Sequence, residues 1–375
     1  MTFVGYDIMT IKASNEGKIY KTHLMFHPSF KKSNSISQLT DRDFLAELFG
    51  PFRNIERHPL KTSGFSGSTH EKIILEVQNG ETISLILKHI YPSQDMTIWR
   101  SGNINNREMM LLDDKEMVEV WDIFQSPYIA YAIEGSNSAL LMHDVSKNLF
   151  PDLREPILPV QEDLILHTLA QMHAHYWQHD VLSKSWLAKQ DIFFSFLGPF
   201  AWADEKAARR KHPVLELAKN GWDLSLQFLP ADIRDFVLNP PVEKMTEGLA
   251  KTLLHGDSKL ANFAIMPGNR ICAFDWTMAA SASPACEIGW YISLNASRLA
   301  RSKEEVMNRY RKFLETELDF AIENKTWDQM VSVAVLTGVE TLLWNKALNL
   351  EKNIAGAKEE WSWWVNNIRR IYENK

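Results

Sequence analysis

Apolar residues in the first 145 positions occur in short runs that predict β-strands. The run Thr82–Ile90 is rich in branched residues and is followed by Pro92, which is typical of a strand and its end. Residues 128–133 and 139–142 flank a glycine-containing turn and are predicted to form a hairpin. The front of the chain is therefore predicted to be a small sheet.

From Val145 onwards, the spacing of apolar residues becomes helical. One stripe at helical spacing predicts a long helix with a single buried face: Leu164, Ile165, Leu169, Met172, Tyr176 and Trp177. The segment from Trp327 to the C-terminus predicts two long helices that separate near residues 353–356. Nearer the start, Thr40 is predicted to cap a helix that runs through Leu48.

The most informative segment is residues 255–262, which reads His-Gly-Asp-Ser-Lys-Leu-Ala-Asn. Between Asn262 and Asp275 the chain predicts a hairpin around a turn at 267–269, so the two side chains are expected to lie close together. With Asp257 they offer the oxygen atoms needed to hold a hydroxyl group and magnesium against a nucleotide triphosphate, which indicates a kinase. The alternative is three ordinary positions: a helix cap, a turn and a strand end.

The segment from Leu253 to Ile292, with these residues, Trp276 after Asp275, and Pro284 downstream, resembles the aminoglycoside phosphotransferase and choline kinase-like family. The resemblance implies an α+β, two-lobed protein-kinase-like fold. It would have a small antiparallel-sheet N-lobe, a larger and mainly helical C-lobe, and ATP in the cleft between them.

The chain is expected to have three parts, and the resemblance covers about residues 40–300 of it. Residues 1–38, which end in a polar segment, are read as an N-terminal extension that packs on, or pairs with, the first lobe. Residues 39–142 would be the nucleotide-gripping N-lobe, and residues 143–375 the helical C-lobe with the catalytic loop and the acceptor site.

Roles for the central residues follow from the resemblance. Asp257 would be the catalytic base, and His255 would support the loop without reacting. Asn262 and Asp275 would be the magnesium ligands.

Two positions depart from the family pattern. Members commonly carry His-Pro or a related pair after the aspartate, whereas this chain has Ser258 and Lys259, similar to the lysine found there in many Ser/Thr protein kinases. We therefore predict that Lys259 contacts the transferring phosphate. Glu287 stands where the family more often has Asp, which leaves a structural or substrate-orienting contact open.

Lys88 lies inside the apolar run of the predicted strand, and a lysine buried in such a run requires a partner because an unpaired buried charge is costly. The family resemblance places that partner at Glu108, near the start of a predicted helix. Lys88 would then hold the α- and β-phosphates, and Glu108 would orient it. The alternative is a lysine at the rim of an edge strand and a glutamate on a solvated helix face.

Other nucleotide contacts are predicted at two loops. Between the predicted strands, Ser66 and Gly67 belong to a segment rich in glycines and hydroxyls, which lets backbone N–H groups approach phosphates, although an ordinary hairpin loop fits equally. The segment matches neither G-x-G-x-x-G nor G-x-x-x-x-G-K-[ST]. The resemblance places the hinge between lobes at His143 and Val145, whose backbone groups would meet the adenine; a plain connection is the alternative.

Composition narrows the class of protein. The 375 residues are 45% hydrophobic and 23% charged, which is enough chain for two domains with proper cores. A formal net charge of −6 argues against a nucleic-acid partner. The 2 cysteines indicate no disulfide framework and favour a cytoplasmic location, and no apolar run is long enough to span a membrane.

The acceptor side is less determined by the sequence. Six of the 13 tryptophans lie where the family binds its acceptor, and they suit a cationic amine, a sugar ring or plain core packing: Trp276, Trp290, Trp344, Trp361, Trp363 and Trp364. Four acids fit an amino-sugar cation or a solvated surface: Glu287, Glu340, Glu359 and Glu360. Four histidines suggest zinc, but solvated or packed side chains are the alternative: His167, His173, His175 and His179.

The expected activity is ATP- and Mg²⁺-dependent transfer of a phosphoryl group to a hydroxyl of a small molecule, such as an amino alcohol, a sugar or an aminoglycoside-like acceptor. The alternatives are a catalytically silent nucleotide-binding or scaffold protein of the same fold, and a metal-dependent hydrolase. The presence of all four predicted site residues argues against a silent protein: Lys88, Asp257, Asn262 and Asp275.

Overall fold

The computed structural model describes residues 30–61, 67–78, 80–103, 106–151, 155–203 and 212–374. The strands are β1 (Lys31–Ser33), β2 (Phe52–Leu60), β3 (Thr69–Val77), β4 (Thr82–Ile90), β5 (Tyr128–Glu134), β6 (Asn137–His143), β7 (Ala188–Lys189), β8 (Thr252–Leu254), β9 (Phe263–Met266), β10 (Arg270–Ala273) and β11 (Ala280–Ala282).

The α-helices of the described residues are α1 (Arg42–Phe49), α2 (Met96–Arg100), α3 (Arg107–Asp113), α4 (Val120–Ile123), α5 (Pro159–His175), α6 (Ile192–Ser195), α7 (Pro213–Phe228), α8 (Ala231–Leu238), α9 (Val242–Thr246), α10 (Pro284–Leu294), α11 (Lys303–Leu318), α12 (Asn324–Glu351) and α13 (Ala357–Glu373). Short 3-10 turns cover Ser37–Thr40, Ser146–Asn148, Asp180–Ser183, Leu260–Asn262 and Trp276–Met278. A sheet-rich front and a helical back confirm the predicted α+β, two-lobed fold.

The N-lobe is a six-stranded sheet in the order β1-β5-β6-β4-β3-β2. Neighbouring strands are antiparallel except β1, which pairs parallel to β5. Residues 31–33, assigned to the extension, thus form an edge strand. One face of the sheet packs on α1, where Phe44 and Leu45 meet Ile73 and Leu85 in a separate small core.

Helix α1 begins later than the sequence indicates. The predicted cap Thr40 is wrong: Thr40 ends a 3-10 turn, and the extended residue Asp41 is the N-cap of the helix at Arg42. The preceding turn moves the helix start because its last residue takes part in the 3-10 hydrogen bonding instead of capping.

The C-lobe contains the larger core. The long helix α12 contacts α7, α10 and α13, and 16 of its 28 residues are buried, so it forms the centre of the lobe. The two C-terminal helices separate at 352–356, which confirms that prediction. Over the described ranges, no helix combines the length and apolarity needed to cross a membrane.

Two small sheets position the 255–262 loop and the segment that carries Asp275. Strands β9 and β10 form the predicted hairpin, although Asn262 ends a 3-10 turn and the strand begins at Phe263. Strand β8 lies in a second sheet of order β7-β11-β8 and is fully buried. Residues 255–262 follow β8 directly, and Asp275 follows β10, so both segments leave the core at adjacent strand ends.

Candidate active site

The two lobes meet at a buried lysine. Lys88 on β4 is 6% exposed. Its Nζ atom lies 2.8 Å from Oε2 of Glu108 on α3 and 2.9 Å from Oδ1 of Asp275 in the C-lobe. Burial alone would lower the pKa of Lys88, but the carboxylates of Asp275 and Glu108 outweigh it and raise the pKa well above its ordinary value. The side chain is therefore a permanent cation between the lobes.

Glu108 is held in place by a second set of donors. Its Oε1 atom accepts from the Tyr128 hydroxyl at 2.5 Å and from the backbone N–H of Asp275 at 2.9 Å. Burial, followed by the charge of Glu108, raises the pKa of Tyr128 well above its ordinary value, so the phenol stays protonated and donates. Because all these groups are paired, the buried charges avoid the large cost of isolation.

A second cluster of polar side chains surrounds Asp257, in the 255–262 loop. Its Oδ2 atom accepts from Lys259 Nζ at 2.7 Å and from Asn262 Nδ2 at 2.9 Å. Its Oδ1 atom accepts from the indole Nε1–H of Trp290, on α10, at 3.1 Å. The carboxylate is thus oriented by three donors from three side chains.

The backbone of the 255–262 loop is held from below by Glu287, which is fully buried. Its carboxylate accepts from the N–H of His255 at 2.6 Å and from the N–H of Gly256 at 3.2 Å. Burial would raise the pKa of Glu287, but the neighbouring His173 and His255 lower it below its ordinary value, so the group is a carboxylate. Of the two possibilities left open by the sequence, the contact is structural.

Gly256 and His255 shape the same loop. Gly256 has a φ of +82°, and a Cβ atom there would lie 2.1 Å from the backbone oxygen of Met278, so only glycine fits. The His255 ring accepts from the N–H of Asp257 at 3.2 Å and donates to the carbonyl of Phe274 at 3.0 Å. It therefore connects the loop to the residue before Asp275, which agrees with the expected supporting role.

Asp275 adopts the left-handed conformation, with a φ of 66°, at the end of the hairpin. Burial would raise its pKa, but Lys88 and Lys259 outweigh burial and hold the pKa below its ordinary value. The Thr277 hydroxyl donates to its Oδ1 atom at 2.9 Å. Asp275 is thus an ionised carboxylate, 28% exposed, paired with Lys88.

Asp275 and Asn262 have the chemistry that magnesium requires. Mg²⁺ prefers oxygen ligands and is commonly held by one or two carboxylates together with substrate phosphates and water. The Nδ2 atom of Asn262 is committed to Asp257, which leaves its amide oxygen as the remaining ligand atom. The two residues lie on adjoining segments, since Phe274 N–H donates to the Asn262 carbonyl at 3.2 Å. This pair therefore fits a magnesium ion bound together with phosphates.

The remaining predicted nucleotide residues lie around the N-lobe sheet. Ser66 is outside the described residues. Gly67 has a φ of +93°, and a Cβ atom there would lie 2.4 Å from the backbone oxygen of Gln94, so Gly67 itself lies close to the segment after β4. His143 ends β6 and Val145 precedes the turn Ser146–Asn148, at the junction to the C-lobe.

The structure also reveals residues that the sequence analysis did not select. Asp144, between the two hinge candidates, accepts from the Ser84 hydroxyl at 2.7 Å and pairs with Lys72 at 2.9 Å. Arg107 is buried beside Glu108 and donates to carbonyl oxygens of Ser101 and Trp186 at 2.7 and 3.0 Å. Burial lowers the pKa of Arg107 to about 10. In the sequence, both residues are marked only by their position: Asp144 lies between His143 and Val145, and Arg107 directly precedes Glu108.

Five of the six candidate tryptophans pack away from Asp257. Trp276 lies in the core against Trp121, Phe124 and His255. The other four contact residues on the surrounding helices: Trp344 donates to Thr341, Trp361 packs on Phe228, Trp363 donates to Glu304 and Trp364 donates to Glu360. Of the six, only Trp290 donates to Asp257.

The candidate acids and histidines also have other partners. Burial raises the pKa of Glu340 well above its ordinary value, which favours the neutral acid. Glu360 pairs with Lys303 and Lys346. Glu359 is exposed on α13. The four histidines contact four different partners: Glu317 for His167, Tyr310 for His173, Glu119 for His175 and Val181 for His179.

Comparison with known proteins gives one family. The family model described as "Phosphotransferase enzyme family" matches residues 107–320, a range that includes Glu108, the 255–262 loop and Asp275. No curated protein matches the chain.

Several solved structures are similar at low identity. Choline kinase LicA from Streptococcus pneumoniae is 11% identical, with a TM-score of 0.46 over 88% of this chain and 97% of that chain. An aminoglycoside phosphotransferase from Alicyclobacillus acidocaldarius is 15% identical, with a TM-score of 0.45 over 86% and 93%. A choline kinase from Cryptosporidium parvum is 12% identical, with a TM-score of 0.48 over 85% and 90%.

Proposed function

The chain belongs to the phosphotransferase enzyme family, and on that premise we propose that it transfers the γ-phosphoryl group of ATP to a hydroxyl of a small molecule. The observation that carries the proposal is the convergence of Lys88, Asp257 and Asp275 where the lobes meet. Lys88 pairs with Asp275 across the lobes, Lys259 pairs with Asp257, and the charge of Lys259 also lowers the pKa of Asp275. Such a cluster combines a base, an acidic metal ligand and two cations for phosphates.

In the proposed complex, ATP lies between the N-lobe sheet and the 255–262 loop. Lys88 binds the α- and β-phosphates while Glu108 keeps its ammonium in position. Backbone groups of Gly67 and of the hinge residues His143 and Val145 face the phosphates and the adenine. A magnesium ion held by Asn262 and Asp275 would supply positive charge against the phosphate oxygens.

The chemical step follows from the donors around Asp257. The acceptor hydroxyl oxygen forms a bond to the γ-phosphorus as the bond from that phosphorus to the β–γ bridging oxygen breaks. ADP leaves with the electron pair, and the hydroxyl proton passes to the Asp257 carboxylate. Lys259, whose side chain is 38% exposed, has further N–H donors for the transferring phosphoryl oxygens. The proposed acceptor class is an amino alcohol, a sugar or an aminoglycoside-like compound.

A phosphate-transfer screen tests the proposal. Purified protein is incubated with MgATP and pools of amino alcohols, sugars and aminoglycosides, and ADP release is followed with and without each pool. We expect acceptor-dependent ADP release, a loss of about 10² to 10⁴ in turnover for Asp257→Asn, and retained MgATP binding. Lys259→Ala should also slow turnover, because one cation at the phosphoryl group is lost.

A matched control is Asp223→Asn, which makes the same chemical change on α7, where the carboxylate is 56% exposed. Its turnover should equal that of the wild type. Full activity in Asp257→Asn would contradict the assigned base. Binding of MgATP without release of ADP in any pool would favour the silent nucleotide-binding alternative.

A further inference from the structure

The two oxygens of Asp257 are not equivalent. Oδ2 accepts two hydrogen bonds, from Lys259 at 2.7 Å and from Asn262 at 2.9 Å. Oδ1 accepts one, from the Trp290 indole at 3.1 Å. A carboxylate oxygen has two lone-pair sites, so Oδ2 is fully used and Oδ1 keeps one site free.

We propose that Trp290 is a positioning residue that presents the free lone pair of Asp257 Oδ1 to the acceptor hydroxyl. This inference rests on the proposed function, in which Asp257 receives the proton. Without the indole donor, the carboxylate would be held on one oxygen only and could rotate about its χ2 bond. The Trp290 contact removes that freedom and selects the oxygen that reacts.

The indole suits this role because it donates and does not accept. Its Nε1–H group orients the carboxylate but offers no lone pair that would compete for the hydroxyl proton. A hydroxyl or imidazole at the same place could take or exchange the proton. The orienting group is therefore chemically silent during the transfer.

Packing makes the indole a rigid donor. Trp290 is 4% exposed. Its ring lies 5.8 Å from the Phe193 ring in an edge-to-face arrangement and 6.2 Å from the Phe196 ring. Since both aromatic contacts and the helix hold the ring, its N–H direction is determined by the C-lobe core.

Indole NMR tests the contact without any activity measurement. In ¹⁵N spectra of the full chain, Trp290→Phe identifies the Trp290 Nε1–H resonance by its loss, and Trp344→Phe does the same for a control indole. Trp344 also donates inside the protein, to the Thr341 carbonyl at 2.8 Å. We expect Asp257→Asn to move the Trp290 resonance and to leave that of Trp344 in place. An unmoved Trp290 resonance would overturn the proposal.

Kinetics test the consequence. With MgATP and the pooled acceptors, Trp290→Phe should lower kcat about tenfold to a hundredfold, the cost of a misplaced reacting group, while KM for MgATP stays the same. Trp344→Phe, which loses a similar buried N–H donor, should keep the wild-type kcat, and thermal unfolding compares the stability of the two variants. Wild-type kcat in Trp290→Phe, with Asp257→Asn inactive, would overturn this inference alone. An active Asp257→Asn would instead overturn the proposed function.

Discussion

Removing the charge of Lys88 tests the buried ion-pair cluster most directly. Lys88→Met keeps most of the apolar stem but leaves Glu108, which is 1% exposed, without its cation. Breaking a buried pair by removing one partner costs roughly 3 to 5 kcal/mol. Because Glu108 keeps the Tyr128 hydroxyl and the Asp275 N–H as donors, we expect a loss near the lower limit, about 3 kcal/mol.

The loss is measurable as a shift in melting temperature. An unfolding entropy of about 2.1 cal/mol/K per residue over 375 residues converts ~3 kcal/mol into a fall in Tm of about 4 °C, followed by circular dichroism on heating. Lys219→Met is the matched control: its partner Asp223 lies 3.9 Å away and both side chains are more than half exposed, so Tm should fall by about 1 °C or less.

A double variant separates lost packing from the unpaired charge. Adding Glu108→Gln to Lys88→Met removes the buried anion and keeps an acceptor for the Tyr128 hydroxyl, so the double variant should regain part of the lost stability. A double variant less stable than Lys88→Met, or an unchanged Tm in Lys88→Met, would refute the account of the cluster.

Three further predictions concern the same centre. Gly256→Ala should abolish phosphate transfer, because the new Cβ would meet the Met278 carbonyl at 2.1 Å at a positive φ; a fully active variant would contradict this geometry. Glu287→Ala leaves two buried loop N–H groups without acceptors and should lower the free energy of unfolding in urea by about 2 to 5 kcal/mol; a change below about 1 kcal/mol would count against its structural role. The folded pKa of Asp275 is lowered and that of Lys88 is raised, so Asp275 should stabilise the fold above about pH 4 and lose that contribution as pH falls, whereas Lys88 should do so below about pH 10 and lose it as pH rises. The free energy of unfolding measured across pH checks the direction of both changes. Loss of the acidic or the alkaline part of this pH dependence in Lys88→Met would assign that part to the Lys88–Asp275 pair.

Local sequence patterns were sufficient to predict strand β4 and the hairpin β9–β10, and to select Lys88 as a candidate site residue. The run around Lys88 predicted β4, and the segment between Asn262 and Asp275 predicted the hairpin β9–β10. A charged residue inside an apolar run must find a partner, so Lys88 was informative without any structure. Thr40 was wrong as a cap because it ends a 3-10 turn whose Leu39 is buried in the small core beside the sheet, and that tertiary contact is not visible in the local sequence.

The roles of Trp290 and Glu287 could not be assigned from local patterns. Both residues lie on α10, which is apolar on nearly every face, so the sequence predicts a buried helix there but not what its polar atoms contact. The Trp290 donor reaches Asp257 across 33 positions of the chain, and Glu287 reaches the loop backbone across 31 and 32. Contacts of that separation depend on helix packing, which no spacing rule encodes.

The sequence by itself determined which chemical groups this protein brings to its cleft: an ammonium on a strand, a carboxylate in a loop, and an amide and a second carboxylate flanking a hairpin. The tertiary structure decided which atom of each group is available, because hydrogen-bond geometry depends on orientation across lobes and helices. Asp257 shows the difference, since its type is written in the chain while its free oxygen is defined by Lys259, Asn262 and Trp290 together.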